Sequence, residues 1–171
     1  MTTLKRFVMV LALLTLALVP FAAAQAAGHE EPTILEIALA VNAETGEFST
    51  LIAAVLYGQL DDVLASAGPY TVFAPTDAAF AKLGLNADNI TTVPKKDLRR
   101  ILRYHISNGK RLSGDVLAVR HIRSLTGNFV RVTANEDGAF INQSKLIALD
   151  IEASNGVIHI IDTVLIPRPR Q

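Results

Sequence analysis

The sequence predicts an α+β fold, and three observations carry that prediction. Up to about residue 105 apolar residues recur at helical spacing, broken by one short apolar run at 70–74. Beyond Asn108-Gly109 the period shortens to about two, with turn residues between the runs. Strands and helices do not alternate as they do in parallel α/β proteins. Helices first and strands second argue for a largely antiparallel sheet packed against an N-terminal helical group.

Taken in order, Thr33 precedes Glu36 by three residues, the spacing of a capping box. It opens a helix whose apolar side is Ile34, Leu35, Ile37, Ala38 and Val41. Residues 42–47, with Gly46, read as a loop. Helical spacing resumes over 48–56, and a further short helix carries Leu60, Val63 and Leu64. Gly68-Pro69 closes this block. Residues 70–74 form a strand that Pro75 must stop, because proline lacks a ladder donor and holds Ala74 extended. Thr76 is placed as an N-cap, with Asp77 in the first turn and Phe80 and Leu83 turned back onto the core. Residues 84–92 are a polar linker, and Pro94 suits a first helical position.

Leu98, Ile101, Leu102 and His105 then share one helix face. Residues 116–120, 121–125, 129–134, 139–142 and 146–151 read as short strands, with 135–138 as a turn. Asn155-Gly156 is a strong hairpin signal, and 157–166 is the longest apolar strand, ended by Pro167. Without an internal repeat or low-complexity segment, the reading is one domain.

Residues 1–26 carry the pattern of an export signal. Lys5 and Arg6 precede an apolar run over 7–21, and small residues follow. Ala24-Gln25-Ala26 supplies a cleavage site, with Ala22-Ala23-Ala24 as an alternative. An uncleaved anchor competes with this reading, since 7–24 approaches the lower limit for a bilayer span. Thr15, Pro20 and the small residues favour cleavage. Residues 27–31 are then a disordered lead-in, 32–167 the domain and 168–171 a tail. Removing Lys5 and Arg6 leaves 14 basic and 16 acidic residues, a net charge of −2 with His neutral. Such a balance gives no global steering toward nucleic acid or anionic membrane. The chain has no cysteine, so the fold must hold by packing and a cysteine-linked lipid anchor is excluded. The expectation is a soluble secreted, extracellular or periplasmic protein without stable membrane insertion after cleavage.

Two long boxes now read together. Thr-Val-Phe-Ala-Pro-Thr-Asp-Ala-Ala-Phe at 71–80 resembles the first signature box of fasciclin-type (FAS1) domains. Ala-Ser-Asn-Gly-Val-Ile-His-Ile-Ile-Asp-Thr-Val-Leu-Ile-Pro at 153–167 resembles their second. Ile-Leu-Arg-Tyr-His-Ile at 101–106 is similar to the family's Tyr-His segment, and Thr-Ile-Leu-Glu-Ile-Ala at 33–38 to its entry helix. The resemblance covers about 32–167. It implies a wedge of two small, mostly antiparallel sheets packed against helices. It also implies a secreted or surface protein that works by adhesion or matrix contact, without catalysis or cofactor. Many animal and plant relatives carry several such domains, whereas single-domain secreted members are typical of bacteria. Asp77, Asn155 and Asp162 recur in the boxes, where a cap, a turn and a strand-end contact account for them.

The resemblance also draws attention to Tyr104 and His105, discussed in animal relatives as an adhesion determinant. Helical geometry puts His105 within about 30° of the apolar stripe, so it should point inward and hydrogen-bond to a buried polar group. Tyr104 lies off that stripe and is expected to be exposed. The same helix carries Lys95, Lys96, Arg99, Arg100 and Arg103, with Lys110 and Arg111 beyond, against the single acid Asp97. Such a run is either a solvated amphipathic face or a contact for an acidic polysaccharide, lipopolysaccharide or anionic membrane. Catalytic patterns are missing: there is no G-x-S-x-G elbow, phosphate loop or metal-spaced histidine pair. His159 and Asp162, three apart on a strand, should point to opposite faces. Asn89 and Asn142 head glycosylation sequons, which matter in a eukaryotic host. The leading expectation is an interaction module for a surface protein or polysaccharide, possible as a homo-oligomer and without nucleic acid. The alternative is a carrier or sensor of a small apolar ligand in a cleft between helices and sheet.

Overall fold

The computed structural model describes residues 31–168; the expected signal peptide, most of the lead-in and residues 169–171 lie outside the described residues. Helix α1 (Ile34–Thr45) begins at Thr33, whose hydroxyl accepts from the Glu36 amide while the Glu36 carboxylate accepts from the Thr33 amide at 2.8 Å. It runs on through the expected loop at 42–47, because Gly46, at φ 73°, provides the left-handed cap that ends it. Helix α2 (Ser49–Gly58) starts at Phe48, which offers no capping side chain. The missing acceptor comes from elsewhere: the Thr50 amide donates to Asp77 Oδ1 at 2.8 Å. Helix α3 (Asp61–Ala65) completes the first group.

Strand β1 (Tyr70–Pro75) ends at its proline and is buried from Thr71 onward. Thr76 caps helix α4 (Asp77–Ala81), accepting from the Ala79 amide. Phe80 is buried, but α4 stops before Leu83, which is 47% exposed; Leu85 packs on the core instead. A single 3-10 turn (Ile90–Thr92) buries Ile90 inside the expected linker. Helix α5 (Lys95–Tyr104) takes Pro94 as its N-cap, one residue ahead of the first helical position. Strand β2 (Ile106–Asn108) follows, three residues that no periodicity marks.

Residues 113–117 form helix α6 (Ser113–Leu117), where a strand over 116–120 was expected. The cause is long-range: the Asp150 carboxylate accepts from both the amide and the hydroxyl of Ser113, setting a helical first turn. Strands β3 (His121–Arg123), β4 (Phe129–Asn135), β5 (Gly138–Ile141), β6 (Ser144–Ala153) and β7 (Gly156–Ile161) complete the chain. The ladder of β7 ends at Ile161, five residues short of the expected end, and β6 is the longest strand. Ala153 pairs with Gly156, so the hairpin loop is Ser154-Asn155, one residue earlier than the Asn-Gly signal suggests.

The strand order is β2-β1-β7-β6-β5-β4-β3. Among the described residues only β1 and β7 run parallel, from Tyr70↔Gly156 to Pro75↔Ile161; both are buried, as a parallel pair requires. The two expected small sheets are joined through β6, which pairs with β5 at Ser144 and Lys145 and with β7 from Leu146 onward. Register shifts at Leu146/Ala148 and Ala148/Ile151 mark where β6 bends. A bridge between Ser107 and Ser124 brings the outer strands together. One core cluster, including Ile34, Phe48, Phe80, Leu98, Leu102 and Ile158, lies between helices and sheet. The other, including Phe73, Tyr104, Ile122, Val130, Ile141 and Ile161, lies on the opposite side.

Candidate functional site

Burial of Leu98 and Leu102 in the helical core fixes how α5 turns. Its opposite side carries Lys96, Arg99 and Arg103 exposed and Lys95 and Arg100 half-buried. These five cations, which the sequence places on one broad face, line one depression of about 840 Å³ together with Leu125, Thr126 and Asn128. Among the described residues the ion pairs are Lys82–Asp162 and Lys110–Glu152, and Asp150 lies 4.0 Å from the buried His159 ring, so no carboxylate pairs with any of the five. Lys110 is thereby removed from the free basic set. Lys95 stands 5.7 Å from the Tyr57 ring centre, Arg100 donates to the Arg168 carbonyl at 2.6 Å and Arg103 to the Leu125 carbonyl at 3.3 Å. Lys95 and Lys96 also occupy the first turn, where the helix dipole disfavours cations. An anion in this depression would relieve both penalties.

Tyr104 departs from expectation: it is 6% exposed. The last turn of α5 sits between the two core clusters, so the residue off the Leu98/Leu102 stripe meets the second cluster and not solvent. Its hydroxyl donates to the Phe129 carbonyl at 2.9 Å and accepts from Asn142 Nδ2 at 3.2 Å. His105 is buried, as its place on the stripe predicts. Its Nδ1–H donates to the Ile101 carbonyl at 2.8 Å, and Nε2 accepts from the Leu165 amide at 2.9 Å. That arrangement requires the neutral ring, and burial pushes its pKa down to about 4. Both side chains are structural anchors in this arrangement. The sequon asparagines are engaged too: Asn89 donates to the Gly84 carbonyl and Asn142 to Tyr104.

The fold brings Ser113, Asp150 and His159 together, a juxtaposition the sequence does not reveal because it depends on the β6 bend. Asp150 adopts φ 58° there. His159 is fully buried and stacked on Phe73; its Nε2–H donates to the Arg111 carbonyl at 2.9 Å and its Nδ1 accepts from the Asp150 amide at 3.2 Å. Burial holds its pKa below the ordinary imidazole range. The Ser113 hydroxyl donates to Asp150 and lowers that carboxyl's pKa. The Ser113 hydroxyl is therefore bonded to a carboxylate whose lowered pKa makes it a weak base. His159 and Asp162 do not meet: Asp162 Oδ1 accepts from the Lys145 amide and its other oxygen pairs with Lys82.

The space between helices and sheet is about 30 Å³, lined by Phe48, Val72, Leu102, His105 and their neighbours. That holds about one water molecule. The expected cleft for a small apolar cargo is therefore filled by side chains. Among the described residues no group of three His, Asp or Glu is placed to hold a metal ion, and no helix is long and apolar enough to cross a membrane.

Residues 46–167 match the family model of the fasciclin domain. The uncharacterized protein sll1735 of Synechocystis sp. is 42% identical over 137 residues, 79% of this chain and 98% of that one. The transforming growth factor-beta-induced protein ig-h3 of Sus scrofa is 38% identical over 120 residues, 70% of this chain but 18% of that longer one. In a solved structure, a FAS1 domain pair from the insect cell adhesion molecule fasciclin I aligns with a TM-score of 0.63 at 20% identity. It covers 81% of this chain and 52% of that one, a likeness of fold.

Proposed function

The chain belongs to the fasciclin domain family, and from that premise we propose that it is an exported, non-catalytic interaction module. It contacts polymers of a cell surface or extracellular matrix through the cationic face of α5. The observation that carries this reading is the set of five basic side chains, without carboxylate partners among the described residues, around one depression. The buried polar groups nearby support it from the other side, because Tyr104, His105 and His159 spend their hydrogen bonds on the scaffold. The export signal pattern supplies the address.

The test is binding of the purified protein to an array of acidic and neutral polysaccharides, with Lys95, Lys96, Arg99 and Arg100 all changed to Ala in the comparison variant. Wild type should retain acidic glycans, release them as salt rises, and lose about tenfold in affinity or more on substitution. Equal binding by the variant, or binding indifferent to salt, would remove the α5 face from the function.

A further inference from the structure

A second basic depression adjoins the first. Three arginines from separate segments, Arg103 at the end of α5, Arg111 after β2 and Arg123 on β3, line a cleft of about 480 Å³. Arg103 and Leu125 line both depressions, so the two form one continuous path along the surface. Among the described residues none of the three arginines has a carboxylate within ion-pair distance. Arg111 Nε is buried without a hydrogen-bond partner, an unmet donor in the wall of this cleft.

The backbone of Arg111 is fastened from two sides. Its amide donates to Thr71 Oγ1 at 3.0 Å and its carbonyl accepts from His159 Nε2 at 2.9 Å. Thr71 and His159 are both fully buried, on the central strands β1 and β7. Thr71 in turn donates to the Gly109 carbonyl at 2.6 Å. The core thus spends two buried polar side chains on holding one short basic segment in place.

We infer that this cleft is an oxyanion subsite, and that it and the α5 depression together seat a linear polysaccharide bearing sulfate or carboxylate groups. The inference rests on the proposed function of the α5 face and adds a site to it. Arginine's planar fork suits sulfate and carboxylate oxygens, which a pair of parallel N–H donors can hold. Two adjoining basic depressions match a chain with repeated charges. The path presents Leu125 as its one large apolar residue, and that one is half-buried, so it offers nothing to insert into a bilayer. It has no aromatic lining residue on which bases could stack.

The probes are dextran sulfate for sulfate esters, polygalacturonate for carboxylates, neutral dextran, and phosphatidylglycerol-containing vesicles. The variants are R111Q/R123Q, R123Q alone and the α5 quadruple alanine change, each first shown by thermal melting to be folded. The double cleft variant should bind the preferred acidic polymer about tenfold more weakly, with its slope of log affinity against log salt reduced by about two. R123Q alone, at an exposed position, should lose about threefold and carries the test if Arg111 proves necessary for folding. Wild-type binding by the cleft variants beside loss in the α5 variant overturns the subsite and leaves the α5 reading standing. Wild-type binding by all variants overturns both. Vesicles that bind as tightly as either polymer overturn the polysaccharide assignment.

Discussion

Asn155→Ala should be among the most damaging single changes in this domain. Asn155 is 4% exposed in the loop between β6 and β7, yet its bonds reach across the chain. Its Oδ1 accepts from the Ile34 amide at 2.8 Å, at the start of α1. Its Nδ2 donates to the Leu64 and Ser66 carbonyls, each at 2.7 Å, at the end of α3. Truncation leaves one amide and two carbonyls without partners, two of the three bonds being buried. At about 1 kcal/mol for each lost bond, with a further penalty where water cannot enter, the cost is roughly 3 kcal/mol or more. For a domain of this size that lowers the melting temperature by about 10 °C. Urea unfolding followed by circular dichroism should show a lower midpoint at unchanged slope. Asn155→Asp sharpens the test, since it keeps the acceptor for Ile34 but sets a carboxylate against two carbonyls. It should be at least as unstable as the alanine variant at pH 7. A loss under about 1 kcal/mol for Asn155→Ala would refute the claim that this side chain clasps α1, α3 and the β6–β7 loop.

The buried histidines predict acid lability. His105 titrates near 6.5 when unfolded and about 4 when folded, so its contribution is complete above pH 6.5 and is lost as pH falls toward 4. That contribution is about 3 kcal/mol, and His159 acts in the same direction. Denaturant midpoints between pH 7 and 4.5 should fall steeply, and substitution of His105 should flatten the fall. Asp77→Ala should cost about 1 kcal/mol by uncapping α2, with the loss registered in stability and not in polymer binding. Tyr104→Phe removes two hydrogen bonds and should cost about 1–2 kcal/mol while leaving acidic-polymer affinity unchanged. Gly156→Ala would drive a Cβ into the Tyr70 carbonyl oxygen and to 2.9 Å from Ile34 Cδ1, separating β1 from β7. A cooperative melt near that of wild type for this variant would show that the strands yield.

Local chemistry made much of this fold legible. Thr33–Glu36, Thr76 and the Leu98/Leu102/His105 stripe each act within a few residues, and each stands where spacing alone puts it. The expectations that failed depend on distant partners. Residues 116–120 look like a strand until Asp150 reaches Ser113 from β6. Tyr104 looks exposed on a lone helix, but the sheet curves round to cover it. The hairpin signalled by Asn155-Gly156 does form, one residue early, and Gly156 itself is paired in β7 where β1 passes too close for a side chain. The five cations on α5 were visible in the sequence. The sequence groups Arg111 with them, but the place of Arg123 beside them was not visible there, because it depends on how β2 and β3 are brought side by side.

This division bears on where recognition can occur. A partner that engaged Tyr104 or His105 would have to break two existing hydrogen bonds to each and uncover part of a core cluster. Gaining a new bond there only replaces one already made, so the net affinity is small. Cations without paired acids differ, because their charge is only partly compensated by water and by carbonyls such as those of Arg168 and Leu125. Bringing an oxyanion to them adds an interaction without dismantling the scaffold. The chain's near-neutral overall charge means that attraction for a polyanion has to come from local clusters, and the path from Lys95 to Arg123 gathers seven cations. In the proposed reading, the buried Thr71 and His159 of the two boxes serve this path at one point, by fixing the backbone of Arg111.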